Sequence, residues 1–318
     1  MDLLSLTFTL IVIFLLYQWS MIFRFLCKLA LLSCWVLFLS VTISPWVAVF
    51  IGQRVENMKL LCSCIRPLKY IYNITFTVQG SENLNIKQSY VIVCNHQTNF
   101  DLLAMAEVLP ERCVPITKKE LLYWGPLGFS GWLCNLVFID RKKKHQARDT
   151  LRHLAERMQH EKLRIWVYPE GTRNREDTML PFKQGAFHLA IKAQVPIVPI
   201  VISSYADFYS FKDKRFEPGN IIVRILPKIE TQGLDLQDIS GLVESTHRMM
   251  QDTFNDISGK IVQRRMRDKS VLEMMRTIRG RSLCLLKSTI TKYGLFDHIP
   301  AIQDLSYNMY FITEDKLI

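Results

Sequence analysis

Two long apolar stretches open the chain, before any pattern typical of a globular domain begins. Residues 3–17 are almost entirely apolar, and after Arg24 and Lys28 a second apolar stretch covers residues 29–51. Because a membrane-crossing helix needs about 20 apolar residues, the pattern predicts two membrane helices, or one anchor with a second helix lying in the interface. No basic segment precedes Leu3, which argues against a cleaved signal peptide.

Short apolar runs alternate with amphipathic stretches through the middle of the chain. Strands are predicted over residues 74–78, 91–94, 114–116, 137–139, 165–168, 195–202 and 221–226. Helices are predicted between several of them, most clearly over 146–162. This order predicts an α/β fold with a mixed, mostly parallel sheet flanked by helices. Its prolines place the 195–202 strand near an edge or at a bulge, and 221–226 is expected to close the sheet.

Changes in composition divide the chain into three predicted parts. Membrane helices occupy 1–53, a globular α/β domain occupies 54–260, and a basic extension occupies 261–318. The basic residues between Arg264 and Arg281 favour anionic lipid headgroups over nucleic acid, because the N-terminal helices already place the chain at a membrane.

The segment 121–136 is unusually apolar and aromatic for a stretch that also contains three glycines. Trp124, Phe129 and Trp132 alternate there with Gly125, Gly128 and Gly131. Two interpretations remain open: a segment of the core, or a surface that dips into lipid.

Composition narrows the class of partner. Of the 318 residues, 49% are hydrophobic, and the formal net charge is +11. The positive charge indicates an anionic partner, which could be a phosphorylated substrate, a membrane surface or nucleic acid. Cys62 and Cys64 have one residue between them and no second pair, which argues against zinc. We expect no metal and no bound cofactor, and we interpret the scattered cysteines as reduced packing residues.

A histidine and a carboxylate meet at the end of one predicted strand. The apolar run 91–94 ends at His96, and Asp101 opens the next predicted helix. Open α/β sheets carry their chemistry at such carboxyl ends, and a carboxylate can orient an imidazole that takes up a proton. His247 and Asp252 have the same spacing inside one predicted helix, where five residues point them about 140° apart. His96 alone is compatible with a catalytic base or with a structural hydrogen bond.

Two further strand ends carry groups suited to an anion. The candidate binding residues there are Arg141, Glu170, Gly171, Thr172 and Arg173. Two guanidinium groups suit a phosphate, although each alone is equally compatible with a surface salt bridge. The glycine lets the backbone approach an anion, and the threonine adds a hydroxyl. Lys118 and Lys183 either add to the same positive field or are simply solvated.

Four blocks resemble, in order, the motifs of the glycerolipid acyltransferase family. They are NHQTNFD at 95–101, FIDR at 138–141, YPEGTR at 168–173 and VPIVP at 195–199. The likeness is strongest to the animal alpha and beta 1-acylglycerol-3-phosphate acyltransferases and covers about 54–260. Tyr168 stands where the family usually has phenylalanine, and the chain beyond about residue 260 has no counterpart.

The resemblance implies transfer of a fatty acyl group from acyl-CoA to the sn-2 hydroxyl of lysophosphatidic acid, giving phosphatidic acid. His96 would be the general base and Asp101 would orient its ring. A thioester is already activated, so no enzyme nucleophile is needed, and Cys94 is interpreted as packing. Arg141, Glu170, Gly171 and Arg173 fall on acceptor-binding motifs, with Glu170 expected to orient Arg173 or a hydroxyl.

Two alternatives remain at this level. One is an acyltransferase acting on glycerol 3-phosphate or another lysophospholipid, and the other is a catalytically silent scaffold that binds anionic lipids. The expected partners are acyl-CoA, lysophosphatidic acid and membrane lipids, without nucleic acid. The resemblance implies a multi-pass protein of the endoplasmic reticulum membrane.

Overall fold

The computed structural model describes residues 2–141, 143–176 and 178–259. Its helices are α1 (Leu3–Trp19), α2 (Met21–Phe50), α3 (Asn57–Ile65), α4 (Leu68–Tyr72), α5 (Asp101–Val108), α6 (Pro126–Leu133), α7 (Lys144–Glu161), α8 (Gly185–Ala193) and α9 (239–259). Short 3-10 helices cover Ser81–Leu84 and Lys119–Tyr123. The basic extension predicted over 261–318 lies outside the described residues.

A seven-stranded sheet forms the centre of the globular domain. The strands are β1 (Ile74–Gln79), β2 (Tyr90–Cys94), β3 (Cys113–Lys118), β4 (Val137–Ile139), β5 (Arg164–Val167), β6 (Ile197–Ile202) and β9 (Gly219–Ile225), and β7 (Tyr209–Ser210) and β8 (Arg215–Phe216) form a separate hairpin. The sheet order is β1-β9-β6-β2-β5-β3-β4. Every neighbouring pair is parallel except β6 with β9. The prediction of a mixed, mostly parallel sheet is confirmed.

The predicted positions of two strands are wrong. β6 is an interior strand between β9 and β2, and β9 is covered by β1, so β1 and β4 form the edges. Pro199 is tolerated inside the sheet because pairing with β9 begins only at Ile200. Its carbonyl still accepts the N–H of Leu226 at 2.9 Å. Apolar content identified both strands, but it does not indicate which strands lie beside them in the sheet.

One side of α2 packs against the globular domain along most of the helix. Its buried apolar residues, Phe25, Leu32, Leu39 and Val47, recur about every two turns. The indole N–H of Trp35 donates to the Cys64 carbonyl at 3.0 Å. The opposite side exposes large apolar side chains, among them Leu26, Phe38 and Trp46. By length and composition α2 could cross a membrane, whereas α1 is a shorter apolar helix.

The apolar segment 121–136 is divided between the core and the surface of the domain. Gly128, Ser130 and Leu133 on α6 are buried, and Ser130 shares a 2.6 Å hydrogen bond with Ser44 of α2. Phe129 and Trp132 stay largely exposed on the other side. Part of the segment is therefore core and part is an exposed aromatic surface, and contact of that surface with lipid stays a prediction.

Candidate active site

The predicted histidine and aspartate are in direct contact at the carboxyl end of β2. His96 Nδ1 lies 2.6 Å from Asp101 Oδ2. The same carboxylate oxygen accepts the backbone N–H groups of Gln97 at 2.7 Å and Thr98 at 3.1 Å. Asp101 begins α5 and is 1% exposed, so the turn and the helix start hold its carboxylate in place. This arrangement favours the tautomer with the proton on Nδ1 and leaves Nε2 as the basic nitrogen.

A second aromatic ring and a backbone hydrogen bond also hold His96 in place. Its ring stacks on Tyr168 with centroids 4.0 Å apart and an interplanar angle of 18°. Its carbonyl accepts the N–H of Asn174 at 2.8 Å. The side chain keeps 20% exposure, enough for the ring to reach a substrate. The catalytic role of His96 and Asp101 stays a prediction, but the geometry is the one that role requires.

Glu170 is buried and bonds to the backbone instead of to Arg173 or a hydroxyl. Oε1 accepts the N–H of His96 at 2.7 Å, and Oε2 accepts the N–H of Leu180 at 3.0 Å. Burial raises the pKa of Glu170, and the two backbone donors oppose that rise. The expectation that it orients Arg173 or a hydroxyl is wrong, because both oxygens accept backbone N–H groups. Backbone partners of this kind cannot be read from the sequence. Any contact of Glu170 with an acceptor stays a prediction.

Gly171 allows two cationic side chains to converge on one loop. Its φ is +73°, and a Cβ there would lie 2.5 Å from Lys183 Nζ. Its carbonyl accepts a hydrogen bond from the Arg141 guanidinium at 2.5 Å. Lys183 also donates its backbone N–H to the Pro169 carbonyl at 2.8 Å. The structure thus brings the predicted residues 141, 171 and 183 together from three separate segments.

Arg173 and Thr172 are exposed on this same loop. Asn174, the next residue, donates its backbone N–H to the His96 carbonyl, so the segment that carries Arg173 is held next to the segment that carries His96. Burial raises the pKa of Tyr209, and the nearby charges of Arg175 and Arg173 oppose the rise. The loop that carries Arg173 contacts the β7–β8 hairpin through Arg175, whose guanidinium carbon lies 4.8 Å from the ring centre of Phe211.

Lys118 lies farther along the same edge of the sheet. Its backbone pairs with Ile139 at the end of β4, and its ammonium lies 5.5 Å from the ring centre of Trp124. Among the contacts of the described residues, none joins Lys118 to His96. Its part in the binding site stays a prediction.

Tyr205 is a site residue that the sequence analysis missed. Its hydroxyl is buried beside the Asp101 carboxylate, and burial together with that carboxylate raises the pKa of Tyr205. Within the described part of the chain, Asp101 Oδ1 and the Tyr205 hydroxyl are both buried polar atoms without a hydrogen-bond partner. Tyr205 follows the end of β6, so its place at the sheet's carboxyl edge was the only hint in the sequence.

Cys94 agrees with the interpretation of a packing residue. It is fully buried in β2, and burial raises the pKa of its thiol well above the usual range. Over residues 2–141, 143–176 and 178–259, no group of three or more His, Cys, Asp or Glu residues is arranged to hold a metal ion.

Comparisons with known proteins indicate the family of this chain. The family model described as Acyltransferase matches residues 75–203. The chain is 47% identical over 236 residues to the 1-acyl-sn-glycerol-3-phosphate acyltransferase alpha of Mus musculus, covering 74% of this chain and 82% of that protein. It is 46% identical to the human beta enzyme over 207 residues, covering 65% of this chain and 74% of that protein.

The fold also resembles a solved structure. The crystal structure of the 1-acyl-sn-glycerophosphate (LPA) acyltransferase PlsC from Thermotoga maritima aligns with a TM-score of 0.52 and 18% identity. The alignment covers 73% of this chain and 98% of that one. At this identity the likeness supports the fold.

Proposed function

This chain belongs to the 1-acyl-sn-glycerol-3-phosphate acyltransferase family, and we propose that it transfers a fatty acyl group from acyl-CoA to the sn-2 hydroxyl of 1-acyl-sn-glycerol 3-phosphate. The product is phosphatidic acid, a precursor of phospholipids and triacylglycerols. The observation that carries the proposal is the 2.6 Å contact between His96 Nδ1 and Asp101 Oδ2 at the carboxyl end of β2.

The proposed role of His96 is to remove the proton of the attacking hydroxyl. A lipid hydroxyl has a pKa far above 7, so it attacks a thioester well only if its proton leaves during the attack. His96 Nε2 takes that proton while Asp101 stabilises the resulting imidazolium. The new ester C–O bond forms, the thioester C–S bond breaks, and the imidazolium returns a proton to the CoA thiolate. No covalent enzyme intermediate is required, in keeping with the burial of Cys94.

The loop around Gly171 supports the binding of a phosphate monoester. Arg141 uses one guanidinium N–H on the Gly171 carbonyl, and a guanidinium has five N–H donors in all, so it is able to bind a further acceptor. Lys183 lies across the same glycine, and Arg173 is exposed two residues later. The glycerol phosphate would bind to these cations, with Thr172 and Lys118 as further contributors. Binding here would bring the sn-2 hydroxyl toward His96, since Asn174 bonds to the His96 carbonyl.

Membrane attachment would place the site next to its lipid substrate. The family membership and the apolar α2 support association with a membrane. The side of α2 that faces away from the domain, together with α1, would lie in lipid. We retain the endoplasmic reticulum as the proposed membrane, and acyl-CoA as the acyl donor.

Acceptor profiling of the purified full-length protein tests the proposal. CoA release is measured with one acyl-CoA and lysophosphatidic acid, glycerol 3-phosphate or lysophosphatidylcholine, in wild type, His96→Ala and Asp101→Asn. We expect lysophosphatidic acid to be preferred, and His96→Ala to lower kcat by about 10²–10⁴-fold. Preference for another acceptor would favour the alternative acyltransferase, no CoA release would favour the scaffold, and near-normal turnover without His96 would refute the assigned base.

A further inference from the structure

The β7–β8 hairpin contacts both the apolar helix α2 and the loop that carries Arg173. Phe25 of α2 lies 6.0 Å from Tyr209 and 5.8 Å from Phe211, measured between ring centres. Lys28 Nζ donates to the Phe216 carbonyl at 2.8 Å. The hairpin is therefore packed against the face of α2 and positioned beside whatever lipid covers the rest of that helix.

The tip of this hairpin holds an exposed aromatic ring between two cations. Lys214 Nζ lies 4.0 Å from the ring centre of Phe211, and the guanidinium carbon of Arg175 lies 4.8 Å from it. Phe211 is 39% exposed. Neither cation forms an ion pair with a described residue. Both lie close to the Phe211 ring, where cation–π attraction holds the two positive charges near each other. Arg175 follows Arg173 by two residues, which makes this tip continuous with the acceptor loop.

Positive charge dominates the surface around Phe211. The described cations on the hairpin and the segments that contact it are Arg24, Lys28, Arg173, Arg175, Lys212, Lys214 and Arg215, and the carboxylates there are Glu176, Asp207, Asp213 and Glu217. Asp213 accepts a hydrogen bond from the Ser210 hydroxyl at 2.7 Å, and Glu217 lies 3.9 Å from Arg215. Seven cations against four carboxylates give a net positive face around one apolar ring.

We propose that the surface formed by Phe211, Arg175, Lys212 and Lys214 binds the phosphate headgroups of anionic phospholipids at the membrane surface. An aromatic ring flanked by cations suits the boundary between acyl chains and headgroups, where the ring enters the apolar layer and the cations meet phosphate. Its contact with α2 brings it to that boundary. The inference rests on the proposed function in one respect. If the acceptor carries a phosphate, its binding to this surface would place it next to Arg173.

Titration calorimetry on the full-length protein in a non-ionic detergent tests the site without relying on turnover. The probe is dihexanoyl phosphatidylmethanol, which carries one anionic phosphate and no hydroxyl to acylate, and dihexanoyl phosphatidylcholine is the zwitterionic control. The site variant is Arg175→Gln with Lys214→Gln. The matched control is Lys87→Gln with Lys162→Gln, which removes the same charge near the amino ends of β2 and β5.

Wild type should bind phosphatidylmethanol more tightly than phosphatidylcholine. The site variant should weaken phosphatidylmethanol binding by about 30-fold, since each cation near anionic lipid contributes roughly a factor of five. The control variant should stay within about twofold of wild type, because its charges lie beyond a screening length. Lys214→Arg, which keeps the charge, should bind like wild type and guards against a loss caused by misfolding.

Equal binding of the two lipids by wild type, or equal weakening in the site and control variants, would overturn the inference. The basic residues 264–281 are present in every variant and contribute equally. Calorimetry with a lipid that cannot be acylated separates this inference from the proposed function. Intact turnover of lysophosphatidic acid with no selective headgroup binding would refute the site alone, and selective binding without turnover would refute the reaction alone.

Discussion

Glu170 Oε1 accepts the backbone N–H of His96 at 2.7 Å across a separation of 74 residues. The other oxygen of the same carboxylate accepts the N–H of Leu180. One buried side chain thus joins the turn that carries the histidine to the segment that leads to Lys183. These two hydrogen bonds fix the position of the His96 backbone relative to the loop after β5.

We expect Glu170→Gln to loosen the site although it preserves the side chain's shape. A carboxamide has one acceptor oxygen, so its NH₂ group would face a backbone N–H and leave that donor unpaired. An unpaired buried donor costs about 1–3 kcal/mol. Thermal unfolding should show a lower Tm and steady-state kinetics a lower kcat. Glu176→Gln, at an exposed position of the same loop, is the control, and equal Tm and kcat in the two variants would contradict the bridging role.

The raised pKa of Glu170 predicts a specific pH dependence of stability. Because burial raises the pKa in the folded state above the ordinary value of 4.5, the folded protein holds this proton to higher pH than the unfolded chain. The stabilisation from this group is full below about pH 4.5 and is lost as pH rises through the folded pKa. The Tm of wild type should therefore fall relative to that of Glu170→Gln from pH 4.5 upward. A relative gain over this range would reverse the assigned sign.

Tyr168 should act on catalysis through its ring rather than its hydroxyl. Tyr168→Phe keeps the surface that stacks on His96 at 4.0 Å, and we expect nearly unchanged kcat. Tyr168→Leu removes a ring contact worth about 0.5–1.5 kcal/mol, which corresponds to a fall in kcat of about 2- to 12-fold. Comparison of kcat in the two variants is the measurement. A larger loss in the phenylalanine variant would mean that the hydroxyl takes part.

Arg173 should contribute mainly to acceptor binding. We expect Arg173→Ala to raise the KM for lysophosphatidic acid by about 10- to 150-fold, since a charged hydrogen bond contributes about 1.5–3 kcal/mol. The KM for acyl-CoA should change little. Arg152→Ala, which removes an exposed arginine from α7, provides the charge-matched control. A change confined to the KM for acyl-CoA would assign Arg173 to the other substrate.

Tyr205 is expected to be a positioning residue that acts through Asp101. Its buried hydroxyl and Asp101 Oδ1 are both without a hydrogen-bond partner among the described residues, and burial together with the Asp101 charge raises the pKa of Tyr205. Tyr205→Phe removes the hydroxyl beside the carboxylate that orients His96, so we expect kcat to fall by about 2- to 12-fold while both KM values change little. Steady-state kinetics is the measurement. Tyr70→Phe, at an exposed ring, should leave kcat unchanged, and an equal change in the two variants would remove the specific role.

Local patterns in the chain were sufficient for the seven strands of the main sheet and for the residue types of the site, but they did not predict the β7–β8 hairpin. The abrupt end of the apolar run at His96, with Asp101 five residues later, identified the turn that the structure contains. The glycine and the two arginines at neighbouring strand ends identified the loop around Gly171. Parallel strands explain this success, because their carboxyl ends meet along one edge of a sheet.

The amino-acid sequence by itself determined the apolar helices, the α/β alternation, the family and the pair of His96 with Asp101, because each depends on neighbours within a few residues or on motifs read in order. Only the tertiary structure decided that β6 lies inside the sheet, that Glu170 bonds to the backbone of His96 and that Tyr205 lies against Asp101. Each of these depends on contacts between segments far apart in the chain. Burial and backbone hydrogen-bond partners arise only when those segments pack together.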